Sequence, residues 1–481
     1  MVSTTNGLGR FMRSPLLGDS DGADNETATT GGGGCGSSVL AGTGRIRSER
    51  PNRPDGNRTE RDERRTTVRT SVRARPPVIA SVQGTGTESK EATHDPARQR
   101  HSTAARYPPS SAVSARRVAL VHERFTEIAG SEQVVEQLAV QWPQARVHAP
   151  IARPSGIPSR LRTRIDTTWL DGLYHLSGER SYAPLLPLMA RSFRSMKLDR
   201  ADIVVISHHA FASQAVFATT APTIAYVHSP ARWAWDASLR EGEGGGRPGG
   251  VALGLLAVSA RRAELAAAPR LSRIVANSTT VADRIRRWWH RDSVVVHPPV
   301  DTEAFTPDSG VPREDFFLLA GRLVPYKRPD LAIRAANTAG VRLVVVGDGR
   351  STEHCRKIAG ETVTFLGRVP HRQLVDMYRR CRAVVMPGLE DFGIVPVEAM
   401  ACGTAVIALG AGGALDTVLP GSTGLHVSGG TDAELVDNFA TAMRDFDGRN
   451  YDPGRIRSQA ETFSRRVFRE RMRDVVDQVT R

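Results

Sequence analysis

From Arg116 onward, short β-branched runs alternate with stretches of helical period, and no other feature restricts the possible folds of this chain as much. Val118–Val121, Ile203–Ile206, Thr223–Val227, Arg273–Ala276 and Ser293–Val296 are compact apolar or β-branched runs. Runs of this kind suit strands buried on both faces, and the segments between them, such as Ser131–Gln141 and Thr279–Trp288, place apolar residues on one helical side. Strand–helix–strand order implies right-handed βαβ units on a parallel sheet. The rhythm breaks at His297-Pro298-Pro299 and stays broken to Pro312, which reads as a linker. A second set then follows: Phe316–Ala320, Arg342–Val346, Thr362–Phe365, Ala383–Met386 and Thr404–Ala408. The spacing predicts an α/β protein with two Rossmann-like domains in series, residues 113–300 and 301–455, whose ligands lie at the carboxyl ends of the strands. A last helical stretch, about Pro453–Val479, has alternating charge and one solvent-facing side.

Residues 1–112 are of another kind. They hold the Gly31–Gly34 run and much Ser, Thr, Arg and Pro, with Phe11 and Tyr107 as the only aromatics. Such a segment cannot bury enough apolar surface to offset its ordering entropy, so a disordered low-complexity extension is expected. No methionine lies between Met12 and Met189, so a natural start close to the folded region would use another codon, for example at Val113. At 481 residues the chain exceeds one ordinary core, and no apolar run is long enough to cross a bilayer. Polar sequence after Met1 argues against a secretory signal. Cys35, Cys355, Cys381 and Cys402 show no paired spacing, which predicts neither a zinc site nor a disulfide framework and suits a cytoplasmic protein. The net charge of +14 raises nucleic acid or an anionic membrane surface as partners. The positive charge follows no helix-turn-helix, zinc-finger or ribonucleoprotein pattern, so nucleic acid is not expected. Leu185–Met189 with Arg191, Arg194 and Lys197 forms an apolar and basic group that suits either the core or a peripheral membrane contact at the inner face.

Three strand ends carry the chemistry. After Ala383–Met386 comes Gly388-Leu389-Glu390-Asp391-Phe392-Gly393-Ile394-Val395-Pro396-Val397-Glu398, where a helix begins near Pro396 and Gly403 is its natural stop. Glu390 and Glu398 point two acceptor-only carboxylates into the crevice, and each can accept from vicinal hydroxyls of a polyhydroxylated ligand. The amides near Phe392, Gly393, Ile394 and Val395 face an anion such as a diphosphate. The ordinary alternative is a glutamate favouring the helix dipole plus a surface acid. After Phe316–Ala320, Gly321-Arg322 and Lys327 place a guanidinium fork and a point charge where they can flank a diphosphate, although Lys327-Arg328 also reads as a solvated pair before a helix. Two glycine turns, Gly347-Asp348-Gly349 and Gly410-Ala411-Gly412-Gly413, add weaker phosphate-cradling candidates.

Glu390 and Glu398 form the E-x7-E pattern of the family 4 retaining glycosyltransferases, and Gly321-Arg322 with Lys327 resembles that family's diphosphate-binding pair. The likeness covers about residues 116–481. It implies a GT-B fold, two Rossmann-like domains facing across a cleft, with a final helix in 456–481 returning to the first domain. It further implies that Glu398 holds the nucleotide ribose, Glu390 the transferred sugar, and Arg322 and Lys327 the diphosphate. In the N-terminal half, Thr126–Glu132 resembles the family's glycine loop near the donor, with Ala129 at one glycine position and Gly130 at the other. Tyr226-Val227-His228-Ser229-Pro230-Ala231-Arg232-Trp233-Ala234-Trp235-Asp236 resembles mannosyltransferase-like members. His228, at a strand end, is placed to contact the sugar or the attacking hydroxyl; His208, His209, His122 and His297 are weaker candidates. The likeness implies hexosyl transfer from a nucleotide sugar (GDP-mannose first, UDP- or ADP-sugar second) to a glycan or lipid-linked acceptor, with no further cofactor. It implies front-face displacement, assisted by Arg322, Lys327 and loop amides. No D-x-D motif stands in a suitable place, so metal independence is expected. The competing readings are a GT-B-fold sugar-nucleotide epimerase or phosphorylase, and a basic nucleic-acid- or lipid-binding protein.

Overall fold

The β-branched runs form strands, and the strands pair in parallel with their neighbours. The computed structural model describes residues 116–237 and 247–481, so the extension expected over 1–112 lies outside the described residues. The first sheet contains β1 (Val118–His122), β2 (Arg146–Ala149), β3 (Ile165–Thr167), β4 (Ile203–His208), β5 (Thr223–Val227), β6 (Arg273–Ala276) and β7 (Val294–Val295), in the order β3-β2-β1-β4-β5-β6-β7. The second contains β8 (Phe317–Ala320), β9 (Leu343–Val346), β10 (Val363–Gly367), β11 (Val384–Met386), β12 (Val406–Leu409) and β13 (Gly424–Val427), in the order β10-β9-β8-β11-β12-β13. The strand order reverses between β1 and β4 in one sheet and between β8 and β11 in the other. At such a point the loops after neighbouring strands diverge to opposite faces and leave a crevice.

The helices of the first half are α1 (Gly130–Gln141), α2 (Trp169–Leu176), α3 (Leu186–Arg194), α4 (Arg232–Trp235), α5 (Arg247–Ala267) and α6 (Thr279–Trp289). Those of the second half are α7 (Pro329–Ala339), α8 (Thr352–Ile358), α9 (His371–Arg380), α10 (Ile394–Ala401), α11 (Ala414–Thr417), α12 (Asp432–Arg444), α13 (Pro453–Glu461) and α14 (Arg465–Val479). Ser278 starts α6 by accepting from the Val281 amide at 3.2 Å, the usual role of a serine N-cap. Central strands are buried on both faces, which explains why β1, β4 and β5 read as unbroken apolar runs.

The chain crosses between the halves twice, at Val300 and again at Ser464, and the two crossings bridge each other. Val300 donates its amide to the Phe463 carbonyl at 2.9 Å, and Arg465 pairs with Asp301 at 2.7 Å. The stretch read as one helical segment over Pro453–Val479 is therefore two helices. Ile456 and Ala460 of α13 pack into the second core, whereas Phe468, Met472, Val475 and Val476 of α14 pack into the α1 side of the first. Each such buried side chain contributes about 1.5–3 kcal/mol, enough in sum to hold α14 on the far domain. Leu185, Leu186 and Met189 also pack on the first core, leaving Leu188 as the exposed apolar residue of that stretch. The apolar half of the expected membrane-facing patch is thus mostly core. Among the described residues, no helix is long and apolar enough to cross a membrane.

Candidate active site

The second sheet's reversal point brings together the residues that the sequence singles out. β8 ends at Ala320; Gly321 turns with φ +127°, and a short 3-10 turn over Pro325–Lys327 lifts Lys327 over the strand ends. β11 ends at Met386, and the following loop carries Glu390, which is buried. Lys327 Nζ and Glu390 Oε1 form a direct ion pair, within a small cleft also lined by Gly321, Arg322, Gly388 and Val395. Burial disfavours both charges. The Glu390 carboxylate nevertheless holds Lys327 above the usual lysine value, and Lys327 holds Glu390 below the usual carboxylate value. Arg322 reaches the Tyr326 hydroxyl at 3.4 Å, and Lys327 Nζ lies 5.8 Å from the centroid of the same ring.

Glu398 lies on α10, one helical segment beyond Glu390. Burial pushes its carboxyl up to about 7, against the opposing effect of the Tyr378 hydroxyl that donates to it at 3.2 Å. Gly393, at φ +86°, precedes α10, and no side chain caps the helix start formed by Ile394 and Val395. The Gly410–Gly413 turn differs from its expected role as a phosphate cradle. Gly410, Ala411 and Gly413 donate their amides to Val427, Leu409 and Glu390 carbonyls, respectively. A Cβ on Gly413 would lie 2.2 Å from the Phe392 Cα, so this turn is glycine-rich to let two loops touch.

The first domain meets this site through charge. Asp391, 2% exposed, pairs with Arg284 of α6 and with Arg232 of α4, the latter at 3.3 Å. Asp416 accepts from the Thr279 amide at 2.7 Å and stands 3.5 Å from His297 Nε2. His228 immediately follows β5. Its Nε2 lies 2.9 Å from Ser207 Oγ, which lies 3.0 Å from His122 Nδ1; His122 Nε2 lies 3.2 Å from Glu132 Oε1. Burial and the neighbouring His122 keep His228 well below the usual imidazole value. His209 stacks on His228 with centroids 4.3 Å apart, and its own buried Nδ1 has no hydrogen-bond partner among the described residues.

Two family models match the chain: Glycosyltransferase Family 4 over residues 128–304 and Glycosyl transferases group 1 over residues 301–451. Together they span residues 128–451, well over half of the sequence. The chain belongs to the family 4 glycosyltransferases. Curated relatives named D-inositol 3-phosphate glycosyltransferase match in part. The protein of Kribbella flavida is 38% identical over 179 residues (31% of this chain, 41% of that one), and that of Rhodococcus jostii is 33% identical over 218 residues (39% and 47%). The chain therefore spans less than half the length of each. Among solved structures, HepE of Anabaena in complex with UDP and glucose is similar with TM-score 0.54 at 18% identity, covering 75% of this chain and 100% of that one. Sucrose-phosphate synthase of Thermosynechococcus elongatus is similar with TM-score 0.56 at 18% identity, covering 76% and 99%. These likenesses show the GT-B fold.

In this family 4 glycosyltransferase, Gly321, Arg322, Lys327, Glu390, Phe392, Gly393, Ile394, Val395 and Glu398 all lie on the loops and helix start at the β8/β11 reversal. Gly130 and His228 lie in the first domain, at the start of α1 and just after β5. The remaining histidines separate by their partners. His208 is fully committed: its Nε2 bonds to Glu264 at 3.1 Å and its Nδ1 accepts from the Ser213 amide at 3.1 Å. Buried Glu264 also accepts from the Ala231 amide and from the indoles of Trp235 and Trp289, which makes it a structural hub. Sequence reasoning passed over Glu132, Ser207, Arg284 and the clasping role of Asp391. Glu132 did carry a signal, three residues into the helix that follows the expected donor loop.

Proposed function

We propose that this protein is a retaining glycosyltransferase that moves a hexose from a nucleotide sugar to a hydroxyl of a glycan or lipid-linked acceptor. The observation that carries this reading is the Lys327–Glu390 pair, held with Arg322 at the strand-order reversal of the second sheet. Each charge satisfies the other, which avoids leaving an unpaired buried ion. An arriving diphosphate competes for Lys327 and Arg322 and releases Glu390 to accept from hydroxyls of the sugar. Glu398 accepts from the nucleotide ribose, and Gly130 permits close approach from the opposite domain. The acceptor hydroxyl then attacks the anomeric carbon on the face from which the diphosphate departs. Arg322, Lys327 and the amides near Phe392–Val395 stabilise the charge that develops on the leaving group. His228 orients a reacting hydroxyl, and no metal takes part.

GDP-mannose is the proposed donor, on the likeness of Tyr226–Asp236 to mannosyltransferase-like members. The relatives' name adds a phosphorylated inositol as an acceptor to include. Thermal-shift titration with GDP, UDP and ADP, followed by transfer assays with the matching sugars in EDTA, tests donor and metal independence together. Lys327→Ala and Glu390→Ala should abolish transfer while leaving a folded protein. Near-wild-type turnover in either variant would sink the site assignment, and loss of transfer in EDTA would remove the metal-free reading.

A further inference from the structure

A chain of buried side chains runs from the start of α1 to His228, and its hydrogen bonds can be oriented in sequence from one end. Glu132 stands at that end. Burial pushes its carboxyl up, but His122, its own amide and the Ser131 hydroxyl bring it down to about 2, so it is a carboxylate with no proton to give. It accepts from the Ala129 amide at 2.9 Å and the Ser131 hydroxyl at 2.9 Å, and His122 Nε2 must therefore donate to it. With His122 neutral, the proton on Nε2 leaves a lone pair on Nδ1, which faces Ser207 Oγ. Ser207 has a single proton, and that lone pair takes it. Its oxygen then accepts from Nε2–H of His228. The orientation ends with the His228 proton pointing inward. Its Nδ1 lone pair has no hydrogen-bond partner among the described residues.

We infer that Glu132, His122 and Ser207 are positioning residues that place the His228 proton on Nε2 and keep Nδ1 as an acceptor for a substrate hydroxyl. The inference deepens the reading of His228 given above and rests on it for its effect on turnover. It also explains why the carboxylate that anchors the Ala129-Gly130 loop is buried: one group ties the donor-facing loop to the histidine. His209, stacked on one face, and Tyr226, 5.1 Å away edge-on, leave the ring little freedom to rotate. A fixed tautomer matters because the wrong one presents an N–H where an acceptor is needed. The hydroxyl belongs to the acceptor or to the transferred sugar, and the two sources are separable by experiment.

The test uses the full chain with 15N-labelled histidine, the His228 signals being identified by their loss in His228→Gln. The expected result is Nε2–H in the wild type, both tautomers in Ser207→Ala, and Nε2–H again in Ser207→Thr, which restores a hydroxyl. Nδ1–H in the wild type, or an unchanged tautomer in Ser207→Ala, overturns the inference. In the transfer assay, Ser207→Ala should lower kcat roughly 10- to 100-fold, as loss of an orienting partner does, with nucleoside-diphosphate affinity unchanged. The double variant Ser207→Ala/His228→Gln should be no slower than His228→Gln alone; additive losses would show that Ser207 acts elsewhere and overturn the relay. Should Ser207→Ala slow transfer but not the hydrolysis of donor by water, the hydroxyl is the acceptor's; should both slow, it is the sugar's. Full turnover in His228→Gln removes the proposed role of His228 in the reaction, while the tautomer measurement still decides whether the relay exists.

Discussion

Residue identity alone does not separate the histidines of the first domain; their partners do. His208 and His228 both stand at strand ends, yet His208 spends both ring nitrogens on Glu264 and Ser213 while His228 keeps one. Glu398 shows the same dependence on surroundings. With its carboxyl raised to about 7 from a usual 4.5, the folded state holds a proton there that the unfolded chain has lost between those values. Unfolding then releases that proton, so this group's contribution to stability declines as pH rises from about 4.5 through 7. Glu398→Gln, which cannot ionise and still accepts from Tyr378, should gain in Tm relative to the wild type as calorimetry moves from acid to slightly alkaline pH. A Tm difference that stays constant with pH would contradict the raised carboxyl. The same variant should bind nucleoside diphosphate more weakly if Glu398 holds the ribose, and an unchanged Kd removes that role.

At the scale of elements, the Lys327–Glu390 site depends on loops that cross closely. Gly388 lies against Lys327, where an added Cβ would come within 2.5 Å of the Lys327 Cα. Backbone cannot yield there as a flexible side chain would. Gly388→Ala should therefore push the Lys327 turn away from the Glu390 loop, cost about 1–3 kcal/mol of stability and reduce transfer. Wild-type activity in this variant would show that the crossing is looser than its contacts imply. Three strands escaped the sequence reading, β2, β3 and β13. β3 and β13 are edge strands, and β2 alternates exposed and covered positions, so none presents the continuous apolar run of a central strand. The break between α13 and α14 escaped for a different reason. Helical period continues across it, and the break is made by Ser464, which pairs with Val300 and caps the start of α14 by accepting from the Val467 amide.

For the whole molecule, the decisive contacts join the halves. Asp391 is buried between Arg232 and Arg284, and Asp416 binds the start of α6 through Thr279. Removing one partner of such a buried group costs about 3–5 kcal/mol, because the remaining charges lose their counter-ion. Asp391→Asn should thus loosen the clasp between the domains, seen as a larger radius of gyration by X-ray scattering and a raised KM for donor. Unaltered scattering together with unaltered kinetics would show that Asp391 does not hold the domains together. The clasp adjoins Glu390, so the contact between the domains and the Lys327–Glu390 pair are set by consecutive residues of one loop.

The sequence by itself determined the two-domain layer architecture and the residues on the loops after β8 and β11, because strand runs, helix starts and glycine turns are written in neighbouring positions. That extends to the Lys327 and Glu390 loops, which are legible as motifs in the sequence. The pairing of those two side chains with each other, the Arg284–Asp391 contact across 107 positions and the relay from Glu132 to His228 were decided by tertiary structure alone. Each depends on which strands become neighbours in a sheet and how far two domains close, and neither is encoded in the spacing along the chain.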